Sequence, residues 1–266
     1  MSSAPSNWFI RLRPRPDAKI RLICFPSAGA GASVYGRWSE HLPQEIEAWA
    51  VQLPGRESRR REPSLTDIQA IADDCARLIQ PVLDRPYALF GHSMGALAAF
   101  EVARRLSAAG REPLALFASS RAAPHLSRGY ENIEALGDDE FITQMDTMFG
   151  GVPDLLKTDA EFRDLYLPPL RADVTAVARY RPSSETPNSF PIHVLGGSED
   201  HSVTRAALEA WESYAAGEFR LHMFPGDHFY VYSRREPVIA LVSSALAQAH
   251  ATPRATSSAA GGARGE

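Results

Sequence analysis

Short apolar segments alternate with amphipathic segments along most of the sequence, and this alternation limits the possible folds more than any other feature. The apolar segments have the length of strands, whereas the amphipathic ones repeat apolar residues at helical spacing. Parallel strands joined by helices and buried on both faces have this pattern. The sequence therefore predicts an α/β fold, with a mostly parallel central sheet and helices on both of its faces.

Six strands and four helices can be placed from the pattern. The predicted strands, two of them together with the polar turns that end them, lie at 19–25, 46–53, 86–93, 113–120, 190–200 and 218–229; helices are predicted at 34–42, at 64–83, directly after residue 93 and at 236–249. Ser64 has Asp67 three positions later, a capping-box pattern that predicts a helix start at Ser64. The polar loops fall at strand ends, where the chemistry of such sheets collects.

The stretch 127–180 breaks the alternation because it contains helical patterns and no strand candidate. We interpret it as a helical lid inserted into a single domain at 1–250, with Met145, Met148 and Phe149 as candidate substrate contacts. The alternative interpretation is additional core helix. Small polar residues at 251–266 predict a disordered tail.

Composition excludes several classes of protein. The formal net charge of −4 gives no reason to expect a nucleic-acid partner. No basic flank precedes an N-terminal apolar run, and no segment is long enough to span a bilayer. Cys24 and Cys75 lack metal-ligand spacing and lie in a predicted strand and helix, which suits reduced thiols in the cytoplasm. We expect no metal and no cofactor.

The sequence "GHSMG" at 91–95 places Ser93 between a predicted strand and a predicted helix. This context is typical of the G-x-S-x-G nucleophile elbow, where the serine oxygen projects from the sheet and only very small residues fit two positions to either side. Gly91 and Gly95 meet that requirement. The alternative is an ordinary surface-turn serine.

An elbow serine needs an acid and then a histidine on later strand ends, in that chain order. Asp200 follows the predicted strand at 190–200, and His228 follows the next strand in a glycine-containing turn. Glu199 and Asp227 are rival acids. We predict a catalytic triad in which His228 takes the Ser93 proton and Asp200 orients the imidazole.

The negative oxygen formed during acyl transfer needs two backbone N–H donors. We predict that Met94 supplies one and Ala28, in the loop "FPSAGAGAS" after the first sheet strand, supplies the other. The alternative for this loop is a plain flexible turn.

Six segments between Trp8 and Ala247 together resemble the type II thioesterases, the stand-alone editing hydrolases of polyketide and nonribosomal peptide synthesis. They are "CFPSAGAGAS", "QLPGRESRRREP", "LFGHSMGALAAFEVARRL", "PLRAD", "GGSEDHSV" and "FPGDHFY". The resemblance implies an α/β-hydrolase fold and hydrolysis of acyl thioesters from the phosphopantetheine arm of acyl or peptidyl carrier proteins. Aberrant or stalled acyl units would be removed in this way.

Two charged motifs have open interpretations. Arg56, Arg59 and the two arginines after it could dock an acidic carrier protein or could simply be solvated surface. Arg171 and Asp173 in "PLRAD" are interpreted as lid packing or a lid ion pair rather than as catalytic groups.

Other functions are compatible with the same motifs. A medium-chain fatty acyl-carrier thioesterase, a generalist carboxylesterase or an acyltransferase would use the same triad. A hydrolase fold that docks carriers without turnover is a rival from a different class, and the intact set of Ser93, Asp200 and His228 argues against it.

Overall fold

The computed structural model describes residues 7–126 and 132–251. Within these residues, seven strands form one sheet in the order β1-β3-β2-β4-β5-β6-β7, and every neighbouring pair is parallel except β1 and β3. The strands are β1 Phe9–Arg11, β2 Ile20–Phe25, β3 Ile46–Val51, β4 Tyr87–His92, β5 Leu116–Ser119, β6 Ile192–Gly197 and β7 Phe219–Phe224. The predicted mostly parallel sheet is confirmed, and β1 is an edge strand that the pattern did not reveal.

Helices cover both faces of the sheet. They are α1 Trp38–His41, α2 Ile68–Ile79, α3 Met94–Ala108, α4 Asp138–Phe149, α5 Leu155–Thr158, α6 Ala160–Arg179, α7 Arg205–Glu209, α8 Tyr230–Ser233 and α9 Arg235–Ala251. Side chains of α2 and α3 pack with one core cluster, and side chains of α1 and α9 pack with another. Ile23 belongs to the first cluster and Leu22 to the second, because successive residues of a strand point to opposite faces.

The start of α2 corrects the sequence prediction. The helix begins at Ile68, and Asp67 is its N-cap, with a side chain that accepts a hydrogen bond from the Gln69 N–H at 3.0 Å. Ser64 precedes the helix and lies against Gly55. Asp67 caps as well as serine does, so the sequence contained two competing start signals.

Burial determines the state of both cysteines. Cys24 and Cys75 are free and buried in the two different core clusters, and burial raises the pKa of each thiol. These positions agree with the expectation of buried, reduced thiols. In the part of the chain that the structure describes, no helix has the length and apolarity needed to cross a bilayer.

The segment 132–180 forms a third apolar cluster of its own. Side chains of α4, α5 and most of α6 make up this cluster, which contacts the core through Ala28. Ala176 and Val177, near the end of α6, belong instead to the core cluster that also contains side chains of α2 and α3. The start of the predicted lid, at 127–131, and the predicted tail, beyond Ala251, lie outside the described residues.

Two histidines pair across the neighbouring strands β6 and β7. Nδ1 of His193 lies 3.2 Å from Nε2 of His222, and the His193 ring also stacks on Phe117. Burial, and next the charge of His222, lower the pKa of His193 to about 4. Between pH 6.5 and 4 the unfolded chain binds a proton at this position that the folded protein does not bind, so stability falls as the pH falls.

We predict that His193→Gln makes the free energy of unfolding less dependent on pH in this window. The slope should decrease by up to about 1.4 kcal/mol per pH unit, since one linked proton is lost. Urea unfolding at pH 7, 6, 5 and 4 measures it. His250→Gln, an exposed position on α9, is the matched control. Equal slopes for wild type and His193→Gln would contradict the prediction.

Candidate active site

Ser93 occupies a strained corner between β4 and α3. Its backbone has φ 55° and ψ −117°, a region that residues other than glycine rarely adopt. The strand brings the chain to the carboxyl edge of the sheet, and the helix leaves immediately at Met94. Strain of this kind persists only where the surroundings enforce it, and it concentrates at functional sites.

The two glycines of the corner are required by close backbone contacts. A Cβ at Gly91 would overlap the carbonyl oxygen of Gly95, and a Cβ at Gly95 would overlap the carbonyl oxygen of Phe25 at the end of β2. The crowding therefore involves the strand, the helix and the neighbouring strand end rather than the side chain of Ser93. Glycine lets these three backbone segments meet.

Asp200 and His228 come together from the ends of β6 and β7. The His228 Nδ1 lies 2.8 Å from the Asp200 Oδ2, and both side chains are buried. A Cβ at Gly197, the last residue of β6, would lie 2.5 Å from the carbonyl oxygens of Gly226 and Asp227, so glycine allows the two turns to touch. Nε2 of His228 is the ring nitrogen left for another partner.

Ser202 completes the hydrogen bonding of this acid. Its backbone N–H donates to Asp200 Oδ1 at 2.9 Å, its hydroxyl donates to the same oxygen, and its Oγ lies 3.0 Å from His228 Nδ1. Burial alone would raise the pKa of Asp200, but the hydrogen bond and charge of His228 and the two Ser202 bonds lower it to about 2. The carboxylate is therefore ionised at neutral pH.

The rival acids have other surroundings. Glu199 is exposed, and the Asp227 carboxylate accepts the N–H of Phe229 at 2.9 Å within its own turn.

His92, next to the serine, is buried with Nδ1 3.0 Å from Ser119 Oγ. Burial, and next the charge of the nearby His228, lower its pKa well below the usual value, so the ring is neutral at pH 7.

A cavity of about 440 Å³ lies between the carboxyl edge of the sheet and the helices α4 to α6. Ser93 and His228 both line it, so the serine and the acid–histidine pair meet at one surface. The remaining walls are mainly apolar: Ala28, Val34, Met94, Met145, Phe149, Val152, Pro153, Leu156, Phe162, Leu170, Val174, Val177 and Phe229. Such walls suit a ligand that is uncharged and mainly apolar.

The three lid contacts predicted from sequence differ in position. Met145 and Phe149 line the cavity, and the Phe149 ring centroid is 4.8 Å from that of His228. Met148 does not line the cavity, although it packs against the same apolar cluster of α4 to α6 as Met145 and Phe149 do. Phe149 lies about 40° to one side of Met145 around the helix axis and Met148 about 60° to the other side, so Met148 is about 100° from Phe149.

Both predicted oxyanion donors border the same cavity. Ala28 belongs to the loop after β2, and Met94 is the first residue of α3, where a backbone N–H has no acceptor within the helix. The loop turns sharply at Gly29, whose φ of 74° favours glycine. The N-terminal end of α3 adds a positive potential at this place.

The arginine run is not the exposed patch that docking would need. Arg56 and Arg59 are buried, and they pair with Asp173 and Glu62 respectively. Both the docking and the solvated-surface interpretations are therefore wrong for these two arginines, while the two that follow are exposed. Arg171 forms an ion pair with Asp138 at 2.9 Å within the predicted lid, as expected, whereas Asp173 pairs with Arg56 outside it, so the interpretation as a lid ion pair is wrong for Asp173.

Two polar residues at the site were missed in the sequence. Ser202 was overlooked, although an aspartate that binds the N–H two residues later is a known turn pattern and "DHS" is compatible with it. Tyr232 lines the cavity with its hydroxyl 3.3 Å from Ser27 Oγ. No sequence pattern predicted that Tyr232 would line the cavity, because its position there depends on how α8 packs.

The sheet, the serine corner and the acid–histidine pair at its carboxyl edge define an α/β-hydrolase. The family model "Thioesterase domain" matches residues 20–246. The chain belongs to the thioesterase family and is a thioester hydrolase.

Two relatives and one solved structure illustrate the similarity. Gramicidin S biosynthesis protein GrsT from Aneurinibacillus migulanus is 39% identical over 245 residues, which cover 92% of this chain and 95% of the relative. The medium-chain S-acyl fatty acid synthase thioesterase of Rattus norvegicus is 35% identical over 226 residues, with 83% and 84% covered. The type II thioesterase BorB from the borrelidin biosynthetic cluster superposes with a TM-score of 0.81 at 35% identity, covering 90% of this chain and 97% of BorB. The resemblance to type II thioesterases is confirmed.

Proposed function

We propose that this enzyme hydrolyses acyl thioesters carried on the phosphopantetheine arm of carrier proteins, and that it clears aberrant or stalled acyl units from polyketide or nonribosomal peptide synthases. The observation that carries the proposal is the Asp200–His228 hydrogen bond beside a cavity that both His228 and Ser93 line. The similarity to BorB and to GrsT supports the biosynthetic setting. The enzyme acts in the cytoplasm, where its two buried thiols stay reduced.

Ser93, His228 and Asp200 are the proposed catalytic triad. His228 holds its Nδ1 proton toward Asp200, so Nε2 accepts the Ser93 proton as Oγ attacks the thioester carbonyl carbon. The carbon–sulfur bond then breaks, and His228 returns the proton to the departing sulfur. Water attacks the acyl-serine with His228 again as base, which releases the carboxylic acid and restores the Ser93 hydroxyl.

Two neighbours of His228 have a defined charge state at neutral pH. The ionised Asp200 stabilises the imidazolium, and the neutral His92 ring, with its centroid 5.1 Å away, does not repel it. The developing oxyanion is proposed to bind the N–H groups of Ala28 and Met94.

The acyl group is proposed to lie under the helices α4 to α6, which act as a lid. Met145, Phe149 and Leu156 present flexible or flat apolar surfaces to it. These walls can accept acyl units of different shape, as an editing enzyme requires.

Ser93→Ala should abolish hydrolysis, lowering kcat by at least about 10³-fold, because no nucleophile remains. Release of free thiol from an acylated carrier protein measures it. Ser198→Ala, an exposed serine after β6, is the matched control and should keep wild-type turnover. Wild-type turnover in Ser93→Ala would exclude the proposed mechanism.

The carrier-bound thioester should be the preferred substrate. We expect a kcat/KM for an acylated carrier protein about tenfold or more above that for the same acyl group on coenzyme A or in a nitrophenyl ester, because contacts with the carrier contribute to binding. Equal values for all three substrates would favour a generalist esterase.

Ser202→Ala should lower kcat about tenfold with little change in KM. The variant removes a hydroxyl that donates to the Asp200 carboxylate, and hydrogen bonds to charged groups contribute about 1.5–3 kcal/mol. The effect acts through the orientation of His228, not through substrate binding. An unchanged kcat would show that the backbone N–H of Ser202 suffices to hold the acid.

A further inference from the structure

One carboxylate connects the lid helix α6 to the loop after β2. Oδ2 of Asp173 accepts the Gly29 N–H at 2.8 Å, across 144 positions of sequence. Asp173 is fully buried, with 0% of its surface exposed. A buried carboxylate is costly unless it is paired and hydrogen-bonded, so its presence requires an explanation.

Arg56 supplies the pairing charge. Its Nη2 donates to Asp173 Oδ1 at 2.8 Å, and its Nη1 donates both to Oδ2 and to the Ala30 carbonyl at 3.1 Å. The pair is bidentate and excluded from water, which is the strong geometry for arginine and carboxylate. Asp173 and Arg56 thus bind backbone groups on either side of the same turn.

Neighbouring residues hold the loop in the same position. The Gln52 side chain accepts the Ala32 N–H at 3.1 Å, and Glu57 accepts the Ser33 N–H at 3.3 Å. Leu170 of α6 lies so close to Gly29 that a Cβ there would be 3.0 Å from its Cδ1. The "QLPGRE" segment and α6 therefore brace the loop from two sides.

The bond to Gly29 bears directly on the proposed oxyanion donor. The Gly29 N–H belongs to the peptide group that follows Ala28, and the N–H of Ala28 belongs to the peptide group before it, whose Ser27 carbonyl accepts the Ala30 N–H at 3.1 Å. Because both peptide groups are held, the rotation of Ala28 and the direction of its N–H are restricted. A donor that preorganises the site must point at the oxyanion before the reaction begins. Arg56 has a second effect, since it neutralises a carboxylate that would otherwise oppose negative charge nearby.

We propose that Asp173 is a positioning residue for the oxyanion hole: from the lid helix it fixes the Ala28–Gly29 peptide, with Arg56 as the counter-charge. The inference rests on the proposed function, because it assumes that Ala28 is an oxyanion donor. It assigns the "PLRAD" aspartate a role outside the lid.

Asp173→Ala should lower kcat about 10- to 100-fold, since a displaced donor loses much of the 10²–10³-fold effect of a complete one. KM should stay within about threefold of the wild-type value. The inhibition constant of an alkyl boronic acid, which forms a tetrahedral anion on serine, should rise by the same factor as kcat/KM falls. A purely structural role would not move this constant.

Two double variants remove the buried charges and separate folding from positioning. Arg56→Met with Asp173→Asn keeps an acceptor oxygen for Gly29 and should recover most of kcat. Arg56→Met with Asp173→Leu has no acceptor and should keep the low kcat, although both proteins fold, because an apolar replacement of a buried pair is tolerated. Thermal unfolding confirms folding. Equal kcat values for the two double variants would overturn the proposal.

Arg171→Gln is the matched control, because Arg171 lies two residues from Asp173 and pairs with Asp138 inside the lid. It should keep wild-type kcat and boronate affinity. If Ser93→Ala is inactive while Asp173→Ala keeps wild-type kcat, the positioning role fails and the proposed function stands. If Ser93→Ala retains turnover, the proposed function fails and this inference fails with it.

Discussion

The close contact between the β4–α3 corner and the end of β2 is the constraint on which the site depends. Gly95 lies against the Phe25 carbonyl, and Gly91 lies against Gly95, so no side chain separates the three backbone segments. This contact enforces the positive φ of Ser93 and sets the first N–H of α3 beside the loop that follows β2. The nucleophile and the proposed donor Met94 are thereby positioned through close contacts between backbone segments, whereas side-chain hydrogen bonds such as that of Asp173 hold the loop that contains Ala28.

The turns after β6 and β7 also meet closely, two strands away from β4. Gly197 allows the turns after β6 and β7 to touch, and this brings Asp200 within hydrogen-bond distance of His228. Burial would favour a neutral acid, but the hydrogen bond and charge of His228 and the two hydrogen bonds from Ser202 outweigh it and lower the pKa of Asp200. Asp173 is also completely buried, and it pairs with Arg56 and accepts the Gly29 N–H. Each buried carboxylate near the cavity therefore has specific donors.

Much of the fold was predictable because it depends on local periodicity. The parallel strands and the helix after Ser93 follow from apolar runs and spacing, and the order of Asp200 and His228 follows from strand ends meeting at one edge. The predictions were wrong where a sequence pattern was compatible with two structures, or where a structural element left no pattern in the sequence. Both Ser64 and Asp67 could start α2, and the three-residue strand β1 is too short to show a period. A run of charged residues is usually exposed, but Arg56 is buried. Its pairing with Asp173, which is distant in sequence, explains this burial.

The sequence by itself determined the parallel strands and the serine corner, because each is encoded by residue type and spacing within a short window, and it determined the candidate triad through the order of the strand ends along the chain. Only the tertiary structure decided that Ser202 serves Asp200, that Met148 turns away from the cavity, and that Asp173 reaches Gly29. These contacts join segments whose approach is set by the packing of α6 and of neighbouring turns. Sequence spacing contains no information on such distances, since they depend on the sum of many weak packing interactions.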